Sequence, residues 1–224
     1  MTKRTHRPTD PVPALPRQPP HDCTLCPRLA AFRAEQQADF PDWFNAPVPS
    51  FGPADARLLI AGLAPGLKGA NRTGRPFTGD YAGDLLYKTL LDHGLATGTY
   101  AARPDDGLEL IGCRITNAVR CLPPQNKPVG AEITACRPFL LSEIETLPNL
   151  RAILALGRIA HESVVRTFGE RPSRFAFGHC TQHAIGGITL IDSYHCSRYN
   201  TQTGRLTEAM FGQVFKDLAP ILAA

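Results

Sequence analysis

No apolar run in the 224-residue chain approaches the roughly 20 residues that a membrane-spanning helix needs. Lys3, Arg4 and Arg7 give a basic start, but no apolar core follows them, so a secretory leader is not expected. The glycines do not fall into G-x-G-x-x-G, and no glycine stretch closes on the Lys-Ser or Lys-Thr of a phosphate loop. A dinucleotide or NTP site is therefore a weak reading. G-x-S-x-G is missing as well, and with it the elbow of a serine hydrolase. There is no internal repeat. Strong charge of either sign is also lacking: the net charge of +4 is a mild basic bias, which permits a polyanionic partner without requiring one.

What is present suffices for one packed domain, with 43% hydrophobic residues. Residues 1–20 hold Pro8, Pro11, Pro13, Pro16, Pro19 and Pro20, a density that forbids helix and predicts a disordered, polyproline-like tail ahead of a single domain over 21–224. Four short apolar runs read as buried strands: Arg57–Gly62, Ile115–Arg120, Arg151–Gly157 and Gly187–Ser193. Helical spacing appears over Ala82–His93, 131–147, 158–168 and 206–222, with Pro138 marking a start or kink in the second. Strands alternating with helices predict an α/β fold: a three-layer sandwich with a central, mostly parallel sheet flanked by helices. Its functional loops then lie at the carboxyl ends of the strands.

The cysteine count of seven is odd, and in a reducing cytosol close cysteine pairs point to metal or catalysis rather than disulfides. Cys23 and Cys26 form C-x2-C, and Cys121 and Cys136 are two remote thiols able to close a set of four. Thiolates suit zinc and iron–sulfur clusters alike, so the spacing does not choose between them. Cys113 and Cys180 have no such partner and read as ordinary buried or half-buried thiols.

The first strand runs into Gly62-Leu63-Ala64-Pro65-Gly66, and a second glycine stretch, 69–80, carries Phe77. Glycines after a strand let backbone approach a ligand closely. Phe77 is either a core residue under a turn or a platform for a planar base. The last strand ends in Tyr194-His195-Cys196-Ser197-Arg198-Tyr199-Asn200. A histidine there is commonly structural, but it sits where an α/β site is expected, and the Arg-Tyr-Asn cluster suits nucleic acid.

Together these stretches resemble the iron–sulfur uracil-DNA glycosylases, over about residues 21 to 220. The resemblance is carried by GLAPG at 62–66, GRPF at 74–77, TNAVRC at 116–121 and HCS at 195–197. Leu63 stands where the fourth family has Glu, and GANRTGRPFTGD and NTQTGRLT also look like the fifth family. The resemblance implies a monofunctional DNA N-glycosylase that removes uracil, and deaminated purines such as hypoxanthine and xanthine, leaving an abasic site. It implies a 4Fe-4S cluster on Cys23, Cys26, Cys121 and Cys136. It also implies a base pocket formed by Gly62, Ala64, Phe77 and Asn117, with Phe77 stacking and Asn117 reading the base edge. His195 is the expected partner of the leaving base. Asp80 is the candidate for positioning water or stabilising the sugar cation, with helix capping its alternative role. Arg198 and Tyr199 are expected to contact DNA. The implied partners are damaged double-stranded and single-stranded DNA, met by a monomer in a prokaryotic cytoplasm at the nucleoid, without a membrane. The competing readings are a non-catalytic, metal-containing nucleic-acid-binding protein and a zinc-dependent hydrolase.

Overall fold

The computed structural model describes residues 15–223. Its strands are β1 (Leu58–Gly62), β2 (Ala96–Thr97), β3 (Glu109–Leu110), β4 (Cys113–Asn117), β5 (Ala152–Leu156), β6 (Gln182–Ile185) and β7 (Ile188–Ser193). Its α-helices are α1 (Pro27–Asp39), α2 (Ala70–Thr73), α3 (Tyr81–Asp92), α4 (Gly130–Thr146), α5 (Arg158–Thr167), α6 (Arg198–Gln202) and α7 (Glu208–Ala223). The central sheet has the order β4-β1-β5-β7-β6. Its first four strands are parallel, and β6 pairs antiparallel with β7. Gly186 and Gly187 join that last pair, both at positive φ as a two-residue hairpin turn demands.

Period-two alternation sorts the strand residues into two layers. Leu58, Ile60, Ile115, Leu154 and Ile191 pack on one face against Leu86 and Leu90 of α3 and Phe211 and Phe215 of α7. Leu59, Ala61, Ile153, Ala155 and Leu190 pack on the other against Leu140 of α4 and Val164 and Val165 of α5. This is the three-layer α/β sandwich read from the sequence. The chain leaves β1 toward β4 on one side and leaves β5 toward β7 on the other, so a crevice opens beyond their carboxyl ends at the point of reversal.

Three boundaries differ from expectation. The strand expected over Ile115–Arg120 runs from Cys113 to Asn117. The apolar run continues because Val119 and Cys121 enter a small separate core with Leu29 of α1 and Phe139 of α4. Pro138 lies inside α4, which runs unbroken from Gly130, rather than at its start. Finally, residues 1–14 of the expected tail lie outside the described residues, but the packed chain begins before residue 21. Pro16 is buried, and the Arg17 N–H donates to Ser142 Oγ at 2.8 Å. The Gln18 amide donates to Glu143 at 2.7 Å. Glu143 is fully buried and is held by Arg114 at 2.6 Å and Arg120 at 3.3 Å, so Gln18 completes a buried ionic network.

Candidate active site

The loops at the carboxyl ends of β1, β4 and β7 enclose a cavity of about 590 Å³, lined among others by Ala64, Phe77, Asp80, Asn117, His195 and Arg198. Gly62 ends β1, Asn117 ends β4 and His195 follows β7 by two residues. The glycine at 62 has a steric cause: a Cβ there would collide with Asn117 Oδ1 and stand 2.7 Å from the Phe77 ring. Gly62 thus lets the Asn117 amide and the Phe77 ring meet at the strand end.

Phe77 is buried and held in the left-handed region at φ 53°, a conformation that costs a bulky residue about 1–3 kcal/mol. Its ring lies 6.0 Å from that of His195, at an interplanar angle of 28°. The side-chain oxygen of Asn117 is buried and has no hydrogen-bond partner. Leaving a buried acceptor unpaired costs about 1–3 kcal/mol, so it stands ready for a donor from outside the chain. His195 is half-buried, and with no charged neighbour to offset its loss of solvent its pKa is pulled down to about 4. Its imidazole is neutral at pH 7 and offers one N–H.

Asp80 is the N-cap of α3, accepting from Gly83 N at 3.3 Å through Oδ1. Its Oδ2 faces the glycine loop, 3.0 Å from where a Cβ on Gly66 would sit. Burial raises its pKa, opposed by the hydrogen bond from Gly83. Capping and cavity lining coexist in this one side chain. Arg198 opens α6 at the cavity mouth, with its guanidinium 5.3 Å from the Tyr81 ring, and Tyr199 beside it is 71% exposed. Tyr81, Lys68 and Asn126 also line the cavity and escaped the sequence reading. Asn126 sits at φ 57°; an Asn after two prolines, in a turn, was the available signal.

A groove of similar volume lies between α4 and α5. Its charged residues, Arg137, Glu162, Arg166 and Glu170, are of mixed sign. Elsewhere His161, His183 and Asp192 bring ligand-capable atoms within 4.8 Å of one another. His161, however, uses both ring nitrogens, Nδ1 on Asp192 at 2.7 Å and Nε2 on the Phe175 carbonyl at 2.9 Å.

Cys23, Cys26, Cys121 and Cys136 all line a second small cavity between the start of α1 and α4. Among the described residues, no three of these sulfurs lie mutually within 4.8 Å. A tetrahedral zinc with Zn–S near 2.3 Å would bring them to about 3.8 Å from one another. The four thiols share this one cavity, and thiolates suit a single zinc ion and an iron–sulfur cluster alike. Donors surround them: the Arg120 N–H reaches Cys136 Sγ at 3.3 Å and the Arg33 guanidinium reaches Cys121 Sγ at 3.8 Å. Cys113 and Cys196 lie outside this cavity, each giving its S–H to a backbone carbonyl, Leu95 at 3.2 Å and Ala82 at 3.4 Å.

A family model described as the uracil DNA glycosylase superfamily matches residues 49–219. A Type-5 uracil-DNA glycosylase of Thermus thermophilus is 48% identical over 202 residues, covering 87% of this chain and 91% of that protein. One from Mycobacterium leprae is 44% identical over 206 residues, covering 87% and 89%. A Type-4 uracil-DNA glycosylase of Pyrobaculum aerophilum is 33% identical over 175 residues, covering 77% and 80%.

Proposed function

The chain belongs to the uracil-DNA glycosylase superfamily, and on that premise we propose that it hydrolyses the N-glycosidic bond of uracil in DNA and leaves an abasic site. The observation that carries the reading is the convergence, at one cavity, of an aromatic ring, an unpaired buried amide oxygen, a neutral histidine and a half-buried carboxylate.

The bond lies inside the duplex, so the nucleotide must first be flipped out, at a cost of a few kcal/mol that a mispair lowers. Phe77 then stacks on the base, and Asn117 Oδ1 accepts a ring N–H from its edge. As C1′–N1 breaks, its electron pair moves to the base, leaving an anionic base and an oxocarbenium-like sugar. The neutral His195 donates its N–H to the carbonyl oxygen on which that charge develops. Asp80 stabilises the cation and takes a proton from the water that adds to C1′. Arg198 and Tyr199, exposed at the cavity mouth, contact the duplex and help hold it open.

The cavity walls also include Ala64, Gly66, Gly79 and Ala82, whose side chains end at or before Cβ. This supports a range extending to the bicyclic bases hypoxanthine and xanthine. Duplex DNA is the main partner and single-stranded DNA a second one, met by a monomer in the cytoplasm. The four cysteines hold a 4Fe-4S cluster, a reading supported by their common cavity, the donors around them and the resemblance to the iron–sulfur glycosylases. Bound there, a cluster would cross-link the C-x2-C segment, α4 and the chain after β4.

Oligonucleotides carrying uracil, hypoxanthine or xanthine, treated with alkali after incubation, test the reading. Strand cleavage at uracil is expected first, and at the purines as well. Binding to the uracil duplex with no alkali-labile product would replace the enzyme with a non-catalytic DNA-binding protein.

A further inference from the structure

We infer that Arg75 and Asp106 are positioning residues for the reaction, a clamp that keeps Phe77 in its left-handed conformation so that the ring stands ready in the cavity. The inference rests on Phe77 being the stacking platform.

Arg75 lies two residues before Phe77 and is buried. Its Nη1 and Nη2 each reach an Asp106 carboxylate oxygen at 2.8 Å, and its Nε donates to Thr78 Oγ1 at 2.7 Å. The guanidinium also lies 5.2 Å from the ring centre of Phe51, 5.4 Å from Tyr87 and 5.8 Å from Tyr100. Both sides of Phe77 are thereby tied, since Arg75 and Thr78 bracket the segment and bond to each other.

The clamp reaches the Phe77 backbone by two further routes. The Tyr87 hydroxyl donates to the Pro76 carbonyl at 2.6 Å, and the Tyr100 hydroxyl donates to the Phe77 carbonyl at 3.3 Å. Tyr100 belongs to the loop between β2 and β3, and Asp106 shapes that loop. Besides Arg75, the Asp106 carboxylate accepts the N–H groups of Ala101 at 2.9 Å, Leu108 at 3.2 Å and Arg103 at 3.4 Å. Its pKa is driven far down, first by the bond from Arg75. One carboxylate thus organises the hairpin loop and anchors the arginine beside the strained residue. Gly83 completes the seat, because a Cβ there would collide with the Phe77 carbonyl. A bidentate fork is what this geometry uses, which an ammonium cannot reproduce.

A double-mutant cycle tests the clamp. The paired change Arg75→Met with Asp106→Leu removes both charges together and leaves no buried ion unpaired. Single-turnover uracil release is measured for wild type, the paired variant, Phe77→Ala and the combination, alongside thermal melting. The paired variant should melt below wild type, because the N–H groups of Ala101, Arg103 and Leu108 lose their acceptor, and its folded fraction should release uracil about 10- to 100-fold more slowly, the scale of a lost stacking contact. Adding Phe77→Ala to it should then cost little more. If Phe77→Ala slows wild type and the paired variant by the same factor, the clamp does not act through Phe77 and the inference falls. If Phe77→Ala leaves wild type unaffected, the stacking role itself fails and takes the clamp with it. Should the paired variant not fold, Arg75→Lys replaces it in the same cycle, with the same outcomes deciding. Fluorescence of 2-aminopurine beside a non-hydrolysable 2′-fluoro-deoxyuridine gives a readout independent of turnover. The signal of the flipped complex should weaken in either clamp variant, and an unchanged signal with an unchanged rate overturns the clamp.

Discussion

Two regions of this molecule each hold a histidine and an aspartate, bonded to each other in one and only lining the same cavity in the other. Beside β7, His161 is buried and bonded at both ring nitrogens, to Asp192 and to the Phe175 carbonyl. Burial works against charge on it, but those bonds outweigh burial and its pKa is raised. At the strand ends, His195 is half-buried without such partners and its pKa falls to about 4, and Asp80 lines the same cavity. The first pair is closed on itself and holds structure together. The second keeps its hydrogen-bonding capacity for something outside the chain. The cysteines divide by place: Cys23, Cys26, Cys121 and Cys136 share a cavity, while Cys113 and Cys196 lie away from it with their S–H groups on the Leu95 and Ala82 carbonyls.

The largest effect expected from this contrast concerns iron. Cys121→Ala or Cys23→Ala should give a colourless, poorly folding protein, because ligand binding energy is folding energy. Cys113→Ser should keep its full iron content, measured by elemental analysis; loss of iron there would break the partition. Next comes Asp80→Asn, since an amide still caps a helix but carries no charge. Single-turnover uracil release should fall about 100-fold or more at an unchanged melting temperature. An unchanged rate would leave Asp80 only its cap on α3.

His161→Ala should do the opposite. It strands a buried carboxylate and should cost about 3–5 kcal/mol of stability, read by denaturant unfolding, with the rate of the folded fraction unchanged. The smallest effect is in pH. The raised pKa of His161 contributes stability that is fully present below about 6.5 and lost as pH rises through its folded value. For His195 the sign reverses: the unfolded chain takes up a proton below about 6.5 that the folded chain refuses until about pH 4, so stability falls across that window. Melting curves against pH should therefore lose their acid slope in His195→Ala and their alkaline slope in His161→Ala.

Much of this was legible in the sequence. The four parallel strands announce themselves as short apolar runs, and Ala64, Phe77, Asn117 and His195 all line one cavity, with Gly62 behind the Phe77 ring. Helix α1 was not foreseen because it buries only Leu29 and Gln36, too little for a periodic pattern. Strand β6 is an edge strand with mostly unburied residues, so it carries no apolar run. Asp106 reads as one acid in a polar loop. Its importance comes from Arg75, which is distant in sequence and adjacent only after folding. Asn126 lines the cavity through a turn conformation rather than through any spacing motif.

The central claim is that the open histidine, and not the closed one, serves base excision. Single-turnover release of uracil from a duplex carrying it opposite guanine, compared for wild type, His195→Ala and His161→Ala, tests it most directly. Loss of one hydrogen-bond donor to a developing anion costs about 2.7–4 kcal/mol, or roughly 100- to 1000-fold. The account predicts a loss of that size in His195→Ala, at wild-type melting temperature and DNA affinity, and a wild-type rate for folded His161→Ala. A His195→Ala variant as fast as wild type would contradict it.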